Sequence, residues 1–370
     1  MHHFRSADNI ENNNNHLTIT FLRFHLKALL DMSKAGVGSA TDAKKAQWAE
    51  VLAHLPALPT TNASLSLAKC TPEMAFDSHT CPDFKCNRTE GDPVGCKAVA
   101  GPGSCGPCET KEIYAGVLGA GPQPPGAFPV ETSAIFPGSD MVGLSAPNKT
   151  LGVARSTVTY LDAWTQLNSF PQIFPAANRV FRGEELIQSL SVGESTVMAT
   201  FERLINGSLC EGCGNLWHKE EGGGVETAGA IVYVCEALLM SHEGFMRLFS
   251  GLKSRTEAAS FRGLRARDAF VVNASRNDQG VVSDFGVLSE RGRDCTVLDS
   301  AGASQAPRVI SATGVVPVHP VTIGTQSTGL WRFSTIEGGR YIIRFAGTDG
   351  WRGEDREGAG RGPGEAGVAE

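Results

Sequence analysis

The spacing of apolar residues changes near residue 244, and that change restricts the fold more than any other feature. Before it, apolar positions recur at helical intervals. Residues 16–35 carry Leu17, Ile19, Phe21, Leu22, Phe24, Leu26, Leu29 and Leu30, which predicts a mostly buried helix. Ser39 or Thr41 caps a second helix over 42–55, with Ala46, Trp48, Val51, Leu52 and Leu55 on the helical period and Pro56 ending it. The two read as an antiparallel αα-hairpin. Residues 56–66 read as loop and 113–137, rich in Gly and Pro, as irregular chain. Helical patterning returns at 148–166, 172–181 and 183–206, and Gly222–Gly224 precede an apolar helix over 226–241, expected to be central. After 244 the runs are short and β-rich: Phe245–Phe249, Ala269–Ala274, Gly280–Val287, Cys295–Leu298, Arg308–Ala312, Val315–Ile323, Gly329–Ser334 and Arg340–Phe345. The expectation is an α+β chain, a helical domain followed by a small antiparallel β domain. The expected boundaries are a helical hairpin at 1–66, a cysteine-rich insertion at 67–112, further helices at 113–254, the β domain at 255–347 and a disordered tail at 348–370.

Six of the ten cysteines fall in the insertion: Cys70, Cys81, Cys86, Cys96, Cys105 and Cys108. The gaps between them hold hardly any aliphatic residue, so this segment has no core of its own and calls for covalent staples. The spacing Cys105-x-x-Cys108 also suits half a zinc site, but no second pair follows at finger spacing. Disulfides are the favoured reading, with the pairing open. Cys210 and Cys213, a close pair in a Gly-rich stretch, read as a further small disulfide.

A net charge of -6 argues against a phosphate backbone as the main partner. No apolar run reaches the ~18 residues a membrane span needs. Five Asn-x-Ser/Thr sequons, at Asn62, Asn87, Asn148, Asn206 and Asn273, join the cysteines in pointing to the secretory pathway. Residues 1–15 contain no apolar run, so a signal peptide is not present there and the native start is expected upstream.

Several passages resemble one family. Gly222-Gly-Gly-Val-Glu226 leads through a helix to Glu236-Ala-Leu-Leu-Met-Ser-His242-Glu-Gly244 and then Phe-Met-Arg-Leu-Phe. Ile135-Phe-Pro-Gly138, Ser169-Phe-Pro-Gln-Ile-Phe-Pro-Ala-Ala177 and Ala259-Ser-Phe-Arg-Gly-Leu-Arg-Ala-Arg-Asp-Ala-Phe270 stand around it. Together they resemble glycoside hydrolase family 95 and its relatives, α-L-fucosidase-like and α-galactosidase-like enzymes on an (α/α)6 toroid. The resemblance covers roughly 125–290 and the helix pair at 16–55. It implies an incomplete toroid followed by a β domain, because about six helices are read here. It also implies inverting hydrolysis of an α-L-fucoside or α-galactoside, with an oligosaccharide or glycan as the partner. The family's His-Arg-His-x-Ser-His stretch is replaced by Val130-Glu131-Thr-Ser-Ala, and Thr227 follows Glu226 where the family has Asn.

Glycoside hydrolysis needs one carboxylic acid to protonate the leaving oxygen and a base or nucleophile opposite it. Glu226, at a helix start where the dipole favours the ionised form, suits the base, with helix capping as its plain alternative. Glu131 is the acid candidate, against an ordinary loop carboxylate; Glu11 is a more distant one. Trp217 and His218 offer a ring wall for a sugar face, and Asn13 a polar contact from the loop before the first helix. Glu236, mid-helix among apolar residues, must be paired if buried, and His242 complements the helix end. No metal constellation, phosphate loop or Gly-x-Ser-x-Gly is present in the sequence, and no cofactor is expected. The rival expectation is a non-catalytic glycan-binding or adhesion protein built on the same fold.

Overall fold

The computed structural model describes residues 15–66, 108–123, 129–139, 146–161, 170–181, 201, 229, 231–252, 257–299, 305–323 and 326–345. The chain divides into two compact units, Met1–Glu243 with Phe249–Ser254, and Gly244–Leu248 with Arg255–Glu370. Helices dominate the first and antiparallel strands the second, so the chain is α+β.

In the first unit, helix α1 (His16–Lys34) starts where the Asn15 carboxamide oxygen accepts the N–H groups of Leu17 (2.9 Å) and Thr18 (3.4 Å). That cap satisfies donors the first turn cannot bond internally. Only His16, Ile19, Thr20 and Leu26 are buried, while Phe21 and Phe24 are each 41% exposed and Met32 is 48% exposed. The expectation of a mostly buried helix is therefore corrected. An apolar period shows that a helix has an apolar face, but not that anything covers it. Helix α2 (Asp42–Ala53) is capped by Thr41, whose hydroxyl accepts the Lys44 N–H at 3.3 Å. It packs on α1 and buries no residue, so its expected core positions stay half-buried or exposed. Arg23 of α1 donates to the Pro56 carbonyl at 3.0 Å and ties the chain just after α2 back to α1.

Strand β1 (Thr60–Ser66) pairs antiparallel with β2 (Cys108–Tyr114), Thr60 opposite Tyr114 and Ser66 opposite Cys108. The loop expected at 56–66 is thus partly strand, and the boundary expected at 112 falls inside β2. The polar run Thr-Thr-Asn-Ala-Ser-Leu-Ser has no clean alternation, and its partner is distant in sequence. Helix α3 (Asn148–Leu161) lies against this ladder: the Thr157 hydroxyl accepts the Tyr114 N–H at 2.8 Å and donates to the Val153 carbonyl at 2.8 Å. Helix α4 (Phe170–Phe181) buries Ile173, Phe174, Ala176, Ala177 and Val180 completely, and Arg155 of α3 donates to its Val180 carbonyl at 3.0 Å. Helix α5 (Ile231–Leu238) ends before the 241 expected, because Leu239–Met240 form a short strand, β3. Its Tyr233 and Ala237 are fully buried, but Ile231 is 56% exposed, so it is not covered all round. Tyr233 joins Phe174 and Phe201 in a three-ring cluster, with centroids 4.9–5.5 Å apart. Such contacts add to burial in the energetics of a core.

In the second unit, β4 (Arg247–Leu248) follows Met246, whose main chain bonds Thr296 and Leu298 at 2.9 Å each. The other strands are β5 (Ala259–Ala266), β6 (Phe270–Arg276), β7 (Phe285–Ser289), β8 (Cys295–Leu298), β9 (Arg308–Ser311), β10 (Gly314–Val316), β11 (His319–Ile323), β12 (Gln326–Phe333) and β13 (Arg340–Arg344). They form a six-stranded sheet in the order β10-β9-β13-β7-β6-β5 and a three-stranded sheet in the order β11-β12-β8. Alternation along β6 and β7 buries Phe270, Val272, Ala274, Phe285 and Val287, the period-two pattern of a strand with one covered face. A bulge interrupts β5 at Gly263, whose φ of 73° no L side chain favours, and its N–H is taken up by the Asn273 carboxamide at 2.7 Å.

Most of the cysteine-rich insertion and the tail 348–370 lie outside the described residues. Of the eight expected disulfide cysteines only Cys108 lies within them. Cys235 and Cys295, which no expected disulfide used, are free thiols. Among the described residues no helix is long and apolar enough to cross a membrane, and no three His, Cys, Asp or Glu side chains are grouped to hold a metal ion.

Candidate functional site

Glu131 sits in a 3-10 turn, Val130–Thr132, built by short-range bonds. Thr132 donates both its N–H (3.0 Å) and its hydroxyl (2.7 Å) to the Pro129 carbonyl. The turn continues without slack: Ile135 and Phe136 both donate to the Thr132 carbonyl, at 2.8 and 2.9 Å, and Gly138 donates to Ser133 at 2.9 Å. At Gly138 a side chain would collide with this turn, since a Cβ would lie 2.6 Å from the Ser133 carbonyl oxygen. The Ile135-Phe-Pro-Gly138 motif thus closes the segment that carries Glu131.

The carboxyl of Glu131 is turned inward, at 2% exposure. Burial pushes its pKa up to about 7, only partly offset by its own main-chain N–H, because an ionised carboxylate is poorly solvated there. Its Oε2 has no hydrogen-bond partner in the protein. Its Oε1 lies 3.2 Å from where a Cβ on Gly116 would be, so a side chain at 116 would press on the carboxyl.

Three further polar side chains occupy the same neighbourhood. His16 donates its main-chain N–H to the Gly116 carbonyl at 2.9 Å, and its fully buried ring stands 5.2 Å from the Tyr114 ring. Thr20, one turn along α1, touches the other end of the Glu131 turn: its Cγ2 is 3.0 Å from the place of a Gly138 Cβ. Neither ring nitrogen of His16, the Thr20 hydroxyl, nor the Tyr114 hydroxyl has a hydrogen-bond partner in the protein. Burial, helped by the charge of Arg23, lowers the His16 pKa to about 4, and burial and Glu112 raise Tyr114 to about 12. His16 and Tyr114 are therefore both neutral near pH 7.

This grouping is energetically unusual. A buried polar group left unsatisfied costs about 1–3 kcal/mol, and native chains have few of them. The chemistry it offers is specific. A carboxyl with a pKa about 7 still holds its proton half the time at neutral pH, which suits a general acid. The neutral imidazole provides one donor and one acceptor, and the two hydroxyls provide more of each.

Of the residues expected from sequence to form the site, only Glu131 lies among those described; Glu226, Trp217, His218, Asn13 and Glu11 lie outside them. His16, Thr20 and Tyr114 were not expected. His16 and Thr20 share a helical face with Ile19, so a histidine on the first turn of an apolar stripe was the available signal. Tyr114, ending a polar strand, carried none. Glu236, expected to be paired if buried, receives a bidentate ion pair from Arg179, with contacts of 2.6 and 2.9 Å; His242, expected to complement the helix end, instead follows the short strand β3, four residues past that end. His242 is buried beyond the end of α5, 3.8 Å from Glu243. No protein-family profile and no curated protein matches the chain.

Proposed function

We propose that this chain is a glycoside hydrolase acting on an α-L-fucoside or α-galactoside with inversion, and that Glu131 is its general acid. The observation that supports this reading is the burial of Glu131 with a pKa of about 7, in the turn that the Phe-Pro-Gly motif closes. A leaving-group oxygen needs a proton donor that is still protonated at working pH. Glu226 is proposed as the opposing base, Trp217, His218 and Asn13 as sugar contacts, and the secretory pathway as the location. The cysteines of the 67–112 insertion and the Cys210/Cys213 pair are proposed to be disulfide-bonded.

The test compares 4-nitrophenyl α-L-fucoside and α-galactoside with the corresponding disaccharides. A 4-nitrophenolate leaves without a proton and an alkoxide does not. Glu131→Gln is therefore expected to lose far more activity on the disaccharide, by about 10²–10⁴-fold, than on the aryl glycoside. Equal losses on both would argue against an acid role.

One observation favours a second reading, glycan binding without catalysis: at 2% exposure the Glu131 carboxyl is closed to a sugar in this conformation. Calorimetric binding of the same disaccharides by a chain that turns over none of the four substrates would select that reading.

A further inference from the structure

We infer that Gln172 and Arg179, two turns apart on one face of α4, are positioning residues for the Glu131 carboxyl. This inference rests on reading Glu131 as the acid. The Gln172 carboxamide nitrogen donates to the Pro129 carbonyl at 2.9 Å and to the Ser133 hydroxyl at 3.0 Å, one on each side of the turn carrying Glu131. Arg179 grips the rest of the segment. Its Nη1 donates to the Ile135 and Gly138 carbonyls at 2.8 Å each, and its guanidinium lies over the Phe136 ring, 4.7 Å from the centroid.

The other edge of the guanidinium is held from α5. Its Nε and Nη2 donate to the two carboxylate oxygens of Glu236 at 2.9 and 2.6 Å, and Arg179 is 5% exposed. A planar guanidinium can hold a carboxylate on one edge and two carbonyls on another at once; a lysine ammonium cannot. The pairing also matters electrostatically. With Glu236 opposite, the Arg179 charge is balanced, and burial is the leading cause of the raised Glu131 pKa. His16 of α1, whose main chain bonds Gly116 beside the Glu131 carboxyl, and Tyr114 of β2, which packs on His16, are both neutral near pH 7.

The Glu131 Oε2 has no partner, and the hydrogen bond its carboxyl does receive comes from its own main-chain N–H. Its place is set by its main chain, and α4 holds that main chain on both sides. Loosening α4's grip lets the turn swing the carboxyl toward water, where its pKa returns to the ordinary carboxylate range of about 4.3.

The test reads protonation directly and needs no turnover. The infrared C=O band of the protonated carboxyl, assigned by its loss in Glu131→Gln, is titrated in the full chain and in two variants, Arg179→Lys and Gln172→Leu. Melting temperatures are taken in parallel. The expected result is a midpoint about one pH unit or more below the unsubstituted chain in each folded variant. Gln172→Leu removes only two hydrogen bonds and stands in if Arg179→Lys does not fold. Unmoved midpoints, with melting temperatures lowered or not, would leave α4 a merely structural role and overturn the inference. A chain with no Glu131-dependent band titrating near pH 7 would instead overturn the acid reading on which the inference rests.

Discussion

The His16 imidazole meets the Tyr114 ring edge-on, centroids 5.2 Å apart and planes at 60°, with both polar ends lacking a hydrogen-bond partner in the protein. Two groups that ordinarily carry hydrogen bonds are buried edge against face, and across Gly116 lies the buried Glu131 carboxyl, whose Oε2 also lacks a partner. Burial drives the basic and the acidic member in opposite directions, His16 down to about 4 and Glu131 up to about 7. Their effects on stability therefore have opposite pH dependence.

For Glu131 the folded pKa is raised, so its stabilisation is complete below the ordinary value of 4.5 and is lost as pH rises through about 7. For His16 the folded pKa is depressed, so its stabilisation is present above 6.5 and is lost as pH falls through about 4. Each departs by about 2.5 pH units, which is about 3 kcal/mol at 1.36 kcal/mol per unit. The two slopes nearly cancel between pH 4.5 and 6.5. Glu131→Gln should leave the His16 slope alone, so stability falls on acidification. His16→Gln should leave the Glu131 slope, so stability rises as pH drops from 7 to 4.5. Denaturant titrations at several pH values check both signs, and parallel profiles in the two variants would contradict the assignment.

Arg179→Ala should cost about 3–5 kcal/mol, because it strands a carboxylate that is only 17% exposed. Replacing both partners, Arg179→Met with Glu236→Leu, often restores stability at a simple buried pair. Here it should not, since the Ile135 and Gly138 carbonyls lose their donor as well. A double variant as stable as the unsubstituted chain in urea would show that those two bonds contribute nothing.

The turn between β5 and β6 places Ala269 at a φ of 63°, a left-handed conformation that strains an alanine. Glycine relieves that strain but loses more freedom on folding. The net expectation for Ala269→Gly is a gain of up to about 1 kcal/mol, readable as a higher denaturation midpoint with an unchanged denaturant slope. A loss would mean the turn does not hold that dihedral in solution.

The free thiols Cys235 and Cys295 among the described residues should react at very different rates. Cys295 is fully buried, and burial raises its pKa far above that of an ordinary thiol; Cys235 is half-buried. Since the thiolate is the reactive form, brief alkylation of the native chain followed by peptide mass mapping should label Cys235 and spare Cys295. Labelling of both at equal rate would place Cys295 outside the core of the second unit.

Legibility differed between the two units for a physical reason. Strands β8, β9 and β13 stand almost where the β-rich runs placed them; burial alternates along β13 as it does in an antiparallel strand with one covered face, whereas β8 buries Cys295, Thr296 and Val297 in succession. In the first unit, α1 and α2 lie where the period put them, but which apolar residues are covered depends on neighbours the period does not name. The β1–β2 ladder was illegible, since its polar strands acquire meaning only from a register such as Thr61 opposite Ile113.

The sequence by itself determined the two kinds of secondary structure, the point near 244 where one yields to the other, and the candidacy of Glu131. These depend on local spacing, short motifs and resemblance. Tertiary structure alone decided that Glu131 is buried beside His16, Thr20 and Tyr114, and that α4 holds its turn through Gln172 and Arg179. The physical reason is distance along the chain. A pKa is set by what surrounds a group in space, and residues 16, 114, 131 and 179 become neighbours only when α1, β2, the turn and α4 pack around one core.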